Sequence, residues 1–256
     1  MMNKFLPTAA LLVGLLGIFA SPTALSAQSQ SYSIPPTTRQ LIVGLASGWN
    51  DSSATLQRWE RQDRGWQAVG TPVTVRLGKS GLAWGLGLHP AGLPGPVKKE
   101  SDGRAPSGVF SLGGAYGYAP NIQRKPGLPY HQVTAYDLWV EDPTSRDYNR
   151  HLKLPPWRDD LSDWEKKQQM KQDDPAHSLK LFIAHNAGER ILPGAGSAIF
   201  FHIWRDNGAR SSSGCTVMPE ADLKTLIAWV DPAQKPLYVL LPEPAYRDLR
   251  TPWQLP

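Results

Sequence analysis

Glycine and proline are so frequent in this chain that they restrict the kind of fold it can form. The 256 residues include 23 glycines and 24 prolines, together with ten tryptophans. Glycine weakens helix interiors and proline breaks them, whereas both residues favour turns. The composition therefore predicts many turns, few long helices and a strand-rich domain. The frequent aromatic side chains suit a protein that handles glycan or peptide.

The first 27 residues have the features of a signal peptide. Lys4 supplies a positive charge, residues 6–20 are largely apolar, and small and polar residues follow up to Ala27. We expect cleavage after Ser26 or Ala27, and a final location in the periplasm or secreted to the cell envelope. The apolar segment is short for a span of about 20 residues, so an uncleaved anchor is the alternative. No cysteine follows it, which excludes a lipoprotein anchor, and we expect no membrane span after cleavage.

Charge and composition along the rest of the chain indicate one mildly basic domain. The net charge of +5 becomes +4 when Lys4, the only charged residue of the predicted signal peptide, is removed. A mildly basic surface suits an anionic polymer. Because the basic residues form no run, we expect no nucleic acid as a partner. Residues 28–39 are polar and contain proline, which predicts a disordered lead-in, and residues 40–256 are predicted to form one catalytic domain.

Hydrophobic patterns predict strands that greatly outnumber helices. Residues 53–69 have the pattern of a hairpin, and helices are predicted over 159–171 and 219–230. The many glycines and prolines of residues 81–96 predict a loop. Further strands are predicted at 40–48, 73–77, 134–140, 179–185, 198–204 and 237–241, with a short strand that ends at Leu112. The expected fold class is mainly β with a few helices.

The only cysteine, Cys215, lies in a small turn that contains Gly214. His202 lies thirteen positions earlier, at the end of an apolar run. A lone thiol with an imidazole within reach predicts a nucleophile and its base. The helix predicted after Cys215 would lower the pKa of the thiol through its dipole, and the N–H groups of Gly214 and Cys215 would form an oxyanion hole. The carbonyl of Ile203, or a carboxylate of Asp142 or Asp206, would hold the other ring nitrogen of His202.

Other interpretations of these residues stay open at this point. Cys215 could be a buried, inert side chain, and His202 a core histidine. His185 and Asn186 also end an apolar strand, so His185 is a second candidate imidazole. A zinc site of His185, His202 and Cys215 is possible on ligand type, although the spacings match no compact metal motif. The remaining histidines are expected at the surface: His89, His131, His151 and His177.

These residues resemble the L,D-transpeptidase catalytic domain, or YkuD, family in a divergent branch. The family has a histidine at a strand end followed by a Gly-Cys motif, and here the two elements are Phe201-His202-Ile203-Trp204 and Ser212-Ser213-Gly214-Cys215-Thr216-Val217-Met218. A further family element is present as Ala105-Pro106-Ser107-Gly108-Val109-Phe110. The resemblance covers about residues 40–242 and implies a β-sandwich-like fold that needs no metal or cofactor.

The resemblance also implies the reaction and its site. Cys215 would attack a peptide bond of a peptidoglycan stem, with His202 as base and the N–H groups of Gly214, Cys215 and Ser213 around the oxyanion. Ser213 stands where the family has a second histidine, and Val217 stands where it has arginine or asparagine. Another residue would therefore bind the substrate carboxylate, and candidates for substrate binding are His185, Asn186, Trp204, Arg210, Tyr118, Arg104, Arg124 and Arg205.

Three functions are compatible with this sequence. The first is a peptidoglycan L,D-transpeptidase that crosslinks stem peptides through a cysteine thioester and reacts with carbapenem-type inhibitors. The second is an L,D-carboxypeptidase or endopeptidase that hydrolyses stems with the same Cys-His site. The third is a wall-binding module whose thiol is idle.

Overall fold

A computed structural model describes residues 32–158 and 160–256, and this part of the chain is mostly β. The predicted signal peptide lies outside the described residues. The described residues form twelve strands: β1 Gln40–Ala46, β2 Ser53–Gln62, β3 Gly65–Arg76, β4 Leu82–Trp84, β5 Ala105–Gly117, β6 Tyr130–Gln132, β7 Asp137–Trp139, β8 His151–Lys153, β9 Leu179–Ile183, β10 Phe200–Ile203, β11 Thr216–Met218 and β12 Leu237–Pro242. The same residues form three α-helices: α1 Asp163–Gln168, α2 Glu220–Trp229 and α3 Glu243–Leu249.

One sheet closes on itself. Its strands follow the order β12-β1-β2-β3-β11-β10-β9-β5, and a further pairing of β12 with β5 joins the two ends. Strands β4 and β6 extend this sheet from β5, and β7 pairs with β8 in a small second sheet. Closure removes the exposed strand edges that an open sheet would present.

The parallel pair β1 and β12 is buried on both faces. Ile42 belongs to the largest hydrophobic cluster together with α2, whereas Leu41 and Val43 belong to a second cluster that contains Trp253. Adjacent residues of a strand point to opposite faces, so continuous apolar runs are what such a position requires. This explains why the runs at 40–48 and 237–241 predicted strands correctly.

Helix α2 packs on the barrel through an apolar stripe. Leu223, Leu226 and Ile227 are buried at the spacing of one helix face, and Glu220 and Asp222 lie in the first turn, where negative charge is favourable. This helix carries the chain from β11 back towards β12. It packs against β9 and β10, and β10 carries His202.

Several predicted boundaries differ from the structure. The two strands predicted at 66–69 and 73–77 are parts of one long strand, β3, and the loop predicted at 81–96 contains β4. The first helix begins only at Asp163, because Ser162 caps it in a reciprocal pair of hydrogen bonds with Glu165. No strong sequence pattern predicts helix α3.

The prediction of a disordered lead-in does not hold for residues 32–39. Ile34 is fully buried, and its N–H donates to the carbonyl of Trp253 at 3.0 Å. The apolar side chains of Tyr32 and Ile34 cover the second cluster, so burial of apolar surface orders this segment. Within the described residues, no helix combines the length and the hydropathy that a membrane crossing requires.

Candidate active site

The turn that carries Cys215 is fixed by the buried hydroxyl of Ser212. Ser212 Oγ accepts the N–H of Gly214 at 3.0 Å and donates to the carbonyl oxygen of Cys215 at 2.6 Å. The backbone N–H of Ser212 in turn donates to Leu77 at the end of β3. A Cβ on Gly214 would lie 3.0 Å from the carbonyl oxygen of Arg104, so the turn needs glycine here. The position of the thiol is therefore set by the barrel.

The thiol of Cys215 is partly exposed at a cavity wall and makes two weak hydrogen bonds. Its Sγ accepts the N–H of Phe200 at 3.4 Å and donates to the carbonyl oxygen of Ala198 at 3.4 Å. Burial raises the pKa of the thiol to about 11, although the Phe200 N–H and the nearby charge of Lys180 act in the opposite direction. At neutral pH the resting nucleophile is therefore a thiol and not a thiolate.

His202 is a buried, neutral imidazole with one ring nitrogen fixed. Its Nδ1 lies 2.8 Å from the carbonyl oxygen of Ile203, and a carbonyl can only accept, so Nδ1 carries the hydrogen. Of the three partners that the sequence offered for this nitrogen, the structure has Ile203. The ring stacks on His177 with 5.0 Å between centroids, and burial lowers the pKa of His202 to about 4. The other nitrogen, Nε2, is therefore available as a base at neutral pH.

Cys215 and His202 lie on the same face of neighbouring parallel strands. Thr216 pairs with Phe201, and His202 pairs with Val217, so Cys215 precedes the imidazole by two residues along the strand direction. Two residues correspond to about 6.6 Å along the strand direction at the usual rise per residue. Both side chains line one cavity of about 480 Å³. Among the described residues no hydrogen bond joins them.

The predicted role of a helix dipole at Cys215 is wrong. Strand β11 and Pro219 lie between Cys215 and the start of α2 at Glu220, which separates them by about 16 Å of extended chain, and the effect of a dipole falls off within one turn. Lys180 is the cation that influences this region, because it pairs with His202 across β9 and β10. Burial lowers the pKa of Lys180 to about 8, and its Nζ donates to the carbonyl of Met170 at 3.2 Å.

Three cations line the cavity, and two of them have carboxylate partners. Lys98 lies 2.5 Å from Asp102, and Arg205 lies 2.5 Å from Asp174. Lys79 is different, because no carboxylate of the described residues lies within ion-pair distance of its Nζ. Arg205 was a candidate from the sequence, whereas Lys79 and Lys98 were missed because they come from loops that are distant in sequence from Cys215.

Two acidic residues line the same cavity and were also missed. Glu100 accepts hydrogen bonds from the hydroxyls of Tyr148 and Ser197, the latter at 2.7 Å. Burial raises the pKa of Glu141, and the charge of Glu100 acts in the same direction. The cavity therefore presents both signs of charge, which suits a zwitterionic peptide better than a uniformly charged ligand.

His185 and Asn186 are structural residues and do not reach the cavity. Nδ1 of His185 accepts the N–H of Leu86 at 3.1 Å, and Nε2 donates to the carbonyl of Ala195 at 3.0 Å. The amide of Asn186 bonds the backbone at residues 192 and 196. Because both ring nitrogens of His185 are occupied, the zinc site considered with His202 and Cys215 is not supported.

Apart from Arg205, the other predicted substrate residues also lie away from the cavity. The Tyr118 hydroxyl bonds the backbone of Gln172, and Trp204 packs against Gly208. Arg210 is exposed beside Asp206 at 3.6 Å. Two candidate arginines, Arg104 and Arg124, bind backbone carbonyls of their own surroundings.

The four histidines expected at the surface have more specific positions. His89 is buried, and its Nδ1 accepts the N–H of Val109 at 3.0 Å. His177 lines the cavity beside His202. His131 and His151 are half-buried and approach one carboxylate. None of these positions followed from the polar sequence around each histidine.

The N–H of Gly214 cannot serve the oxyanion as predicted, because Ser212 Oγ already accepts it. The N–H groups of Ser213 and Cys215 donate to no acceptor in the described part of the chain. Ser213 is exposed and Cys215 lies at the cavity wall. The turn therefore offers two backbone donors beside the thiol.

Comparison with known proteins gives one match. The family model of the L,D-transpeptidase catalytic domain, YkuD, matches residues 51–239, which is more than half of the chain. No curated protein and no solved structure matches. The matched range includes β2 to β11 and the whole cavity with Cys215 and His202.

Proposed function

Because the chain belongs to the YkuD family of L,D-transpeptidase catalytic domains, we propose that it crosslinks peptidoglycan stem peptides as a cysteine-dependent acyltransferase. The observation that carries the proposal is the placement of a thiol, on the partly exposed residue Cys215, and a neutral imidazole on one cavity wall. Cys215 supplies the thiol, and His202 has its Nδ1 fixed by Ile203 so that Nε2 is a base. An idle thiol would not need a base held in one tautomer beside it.

The first half of the reaction acylates Cys215. As Sγ attacks the carbonyl on the L-centre side of an L,D-peptide bond, His202 Nε2 takes the thiol proton, which avoids a free thiolate in a buried site. The oxyanion accepts hydrogen bonds from the N–H groups of Ser213 and Cys215. The tetrahedral intermediate collapses, the C–N bond breaks, and the imidazolium gives its proton to the leaving D-amino acid. A thioester remains on the enzyme.

The second half transfers the acyl group. An amine of a neighbouring stem attacks the thioester, and neutral His202 takes a proton from that amine. The C–S bond breaks, and the sulfur leaves with the proton that His202 held. The product is a new amide crosslink, and both residues return to their starting protonation states.

The charged residues of the cavity would bind the ends of the stem peptide. The ammonium group of Lys79 has no carboxylate partner among the described residues. Lys79 is therefore the strongest candidate to bind the substrate carboxylate in place of the arginine that Val217 replaces. Arg205 is held by Asp174 and would be a weaker partner for a second carboxylate. Glu100 and Glu141 lie on the same wall and would attract the acceptor amine.

Incubation of the purified protein with stem tetrapeptides tests the proposal. Crosslinked dimers are expected if an amine resolves the thioester, whereas tripeptides alone would identify an L,D-carboxypeptidase that uses water. Cys215→Ala should abolish both products. If the Cys215→Ala protein still forms dimers, the proposed nucleophile is wrong.

Mass spectrometry after treatment with a carbapenem gives an independent test. Because Cys215 is the only cysteine, an adduct on a thiol can form at no other residue. A mass increase of one inhibitor per chain, absent from Cys215→Ala, is expected. No adduct would favour a wall-binding module with an idle thiol. We further propose that the protein acts in the periplasm or secreted to the cell envelope, where peptidoglycan is located.

A further inference from the structure

We propose that His131, Asp137 and His151 form a binding site for a divalent transition-metal ion such as Zn²⁺, separate from the catalytic cavity. Nε2 of His131 lies 2.6 Å and Nε2 of His151 lies 2.9 Å from the same oxygen, Oδ1 of Asp137. The three ligand atoms all lie within 4.8 Å of one another. Two imidazoles and one carboxylate are a ligand set that binds Zn²⁺ and leaves a fourth position for water.

Asp137 is held in a way that leaves one oxygen for the ion. Its other oxygen, Oδ2, accepts the N–H and the hydroxyl of Thr134, both at 2.7 Å. The carboxylate is fully buried, and hydrogen bonds from Thr134, His131 and His151 engage both of its oxygens. Thr134 therefore orients the carboxylate as an outer partner orients a metal ligand.

The spacing of the ligand atoms requires only a small adjustment. Ligand atoms of a tetrahedral zinc site lie about 3.3 Å apart, because each lies about 2.0 Å from the ion. The two imidazoles would each move outward from Asp137 by less than about 1 Å, and the separation of up to 4.8 Å between their Nε2 atoms would close by about 1.5 Å. His131 and His151 are 30% and 22% exposed, so both rings can move and an ion can enter from solvent.

Aromatic side chains surround the cluster on its inner side. Tyr116 lies at right angles to His151 with 5.4 Å between ring centroids, and Trp139 stacks parallel to the same imidazole at 6.4 Å. An apolar wall of this kind strengthens metal–ligand interactions by excluding water. Among the described residues, this is the one group of three metal-ligating side chains.

The ion would join elements that otherwise have few connections. His131 belongs to β6 on the edge of the barrel, whereas Asp137 and His151 are diagonal neighbours on one face of the β7–β8 pair, in which Asp137 pairs with Lys153 and Trp139 pairs with His151. Trp139 of β7 contacts Phe200 with 4.8 Å between centroids, and Phe200 donates its N–H to Cys215. A metal would therefore rigidify the wall behind the nucleophile without contacting substrate.

Metal binding to the purified full-length chain tests the proposal, and its readout does not depend on enzyme activity. Zn²⁺ alone is titrated into metal-free Cys215→Ser protein, so that the thiol cannot bind the ion. One ion per chain is expected, together with a higher melting temperature in Zn²⁺ than in chelator. Co²⁺ in place of Zn²⁺ should give the visible absorption of a tetrahedral complex.

Three variants locate the ion. His131→Gln and His151→Gln keep a side-chain N–H for Asp137 but remove one ligand, and each should weaken Zn²⁺ binding at least about tenfold while the melting temperature in chelator changes little. His177→Gln removes an imidazole of the catalytic cavity and should bind Zn²⁺ as before. If no ion binds, or if only His177→Gln weakens binding, the cluster is merely a hydrogen-bonded clamp and the proposal is overturned.

Discussion

The hydroxyl of Ser212 donates a hydrogen bond of 2.6 Å to the carbonyl oxygen of Cys215. The same hydroxyl accepts the N–H of Gly214, so one buried side chain closes the turn that presents the nucleophile. Gly214 thereby has no N–H left for substrate, and in the proposed mechanism the oxyanion would accept from the residues on either side. A serine two residues before Gly-Cys is thus part of how this chain positions its thiol.

Replacement of Ser212 by alanine should lower kcat by about tenfold to hundredfold, because a displacement of about 1 Å at a reacting group has an effect of this size. It should also lower the free energy of unfolding by about 1–3 kcal/mol, since the buried polar groups lose their partner. Both are measured with the tetrapeptide assay and urea unfolding. Ser211→Ala is the matched control, because the Ser211 side chain makes no hydrogen bond in the described part. Equal activities of the two variants would contradict the role of Ser212.

A plot of kcat/KM against pH should rise at low pH and then reach a broad plateau. The pKa of His202 is lowered to about 4 and that of Cys215 is raised to about 11, so the neutral thiol and the neutral base coexist between these values. kcat/KM should rise through about pH 4 and stay level beyond pH 7. Iodoacetamide should alkylate the thiol slowly at pH 7 and faster only at higher pH.

The control for this profile is His202→Gln, which should lower kcat/KM by about a hundredfold or more through loss of the general base. A bell-shaped profile of kcat/KM centred near pH 6, or rapid alkylation of Cys215 at pH 6, would instead indicate a preformed thiolate–imidazolium pair. That result would show that the buried site stabilises charge far better than its surroundings indicate.

The sequence predicted the fold class and the family correctly, and it did so for physical reasons. All side chains of a continuous apolar run such as residues 237–241 are buried only where the strand is covered on both faces. In this barrel, hydrophobic clusters cover both faces. A single cysteine beside glycine and an imidazole at a strand end were sufficient to identify the YkuD family, and Ile203 holds His202 as expected.

The surroundings of the pair could not be predicted in the same way. Lys79, Glu100 and Glu141 reach the cavity from three separate loops, and no local pattern encodes which loops meet when a barrel closes. His185 and Asn186 end an apolar strand just as His202 does, but they pack against the backbone of residues 192–196. Sequence pattern identifies a strand end, whereas only the folded chain determines whether that end faces a cavity or a loop.

If Lys79 binds a carboxylate of the stem peptide, Lys79→Ala should raise KM about tenfold while kcat stays nearly constant, because a bond made equally in the ground state and transition state affects binding alone. Lys79→Arg should restore most of the affinity. Lys99→Ala is the control, since Lys99 is exposed nearby and its side chain has no partner in the described part. Steady-state kinetics with tetrapeptides decides, and an unchanged KM for Lys79→Ala would transfer the role to Arg205.

Asn149 should be the most sensitive position outside the cavity, because its buried amide makes four hydrogen bonds. Oδ1 accepts the Trp139 Nε1–H at 2.9 Å and the Ala198 N–H at 3.0 Å, and Nδ2 donates to the carbonyls of His185 and Asn186. It thereby joins the β7–β8 sheet to the loop before β10, whose Ala198 carbonyl accepts the thiol hydrogen.

Asn149→Ala should therefore lower the free energy of unfolding by about 3 kcal/mol or more, since several buried polar groups lose their partners at once. Carbapenem acylation of Cys215 should slow in parallel, because the wall that positions the thiol loses its connection. Urea unfolding and the rate of adduct formation measure the two effects. Asn121→Ala is the matched control, because the one hydrogen bond of the Asn121 side chain is exposed and its loss should change stability by less than about 0.5 kcal/mol. If acylation by Asn149→Ala is as fast as by the unmodified chain although stability falls, the loop before β10 positions the thiol independently of the β7–β8 sheet.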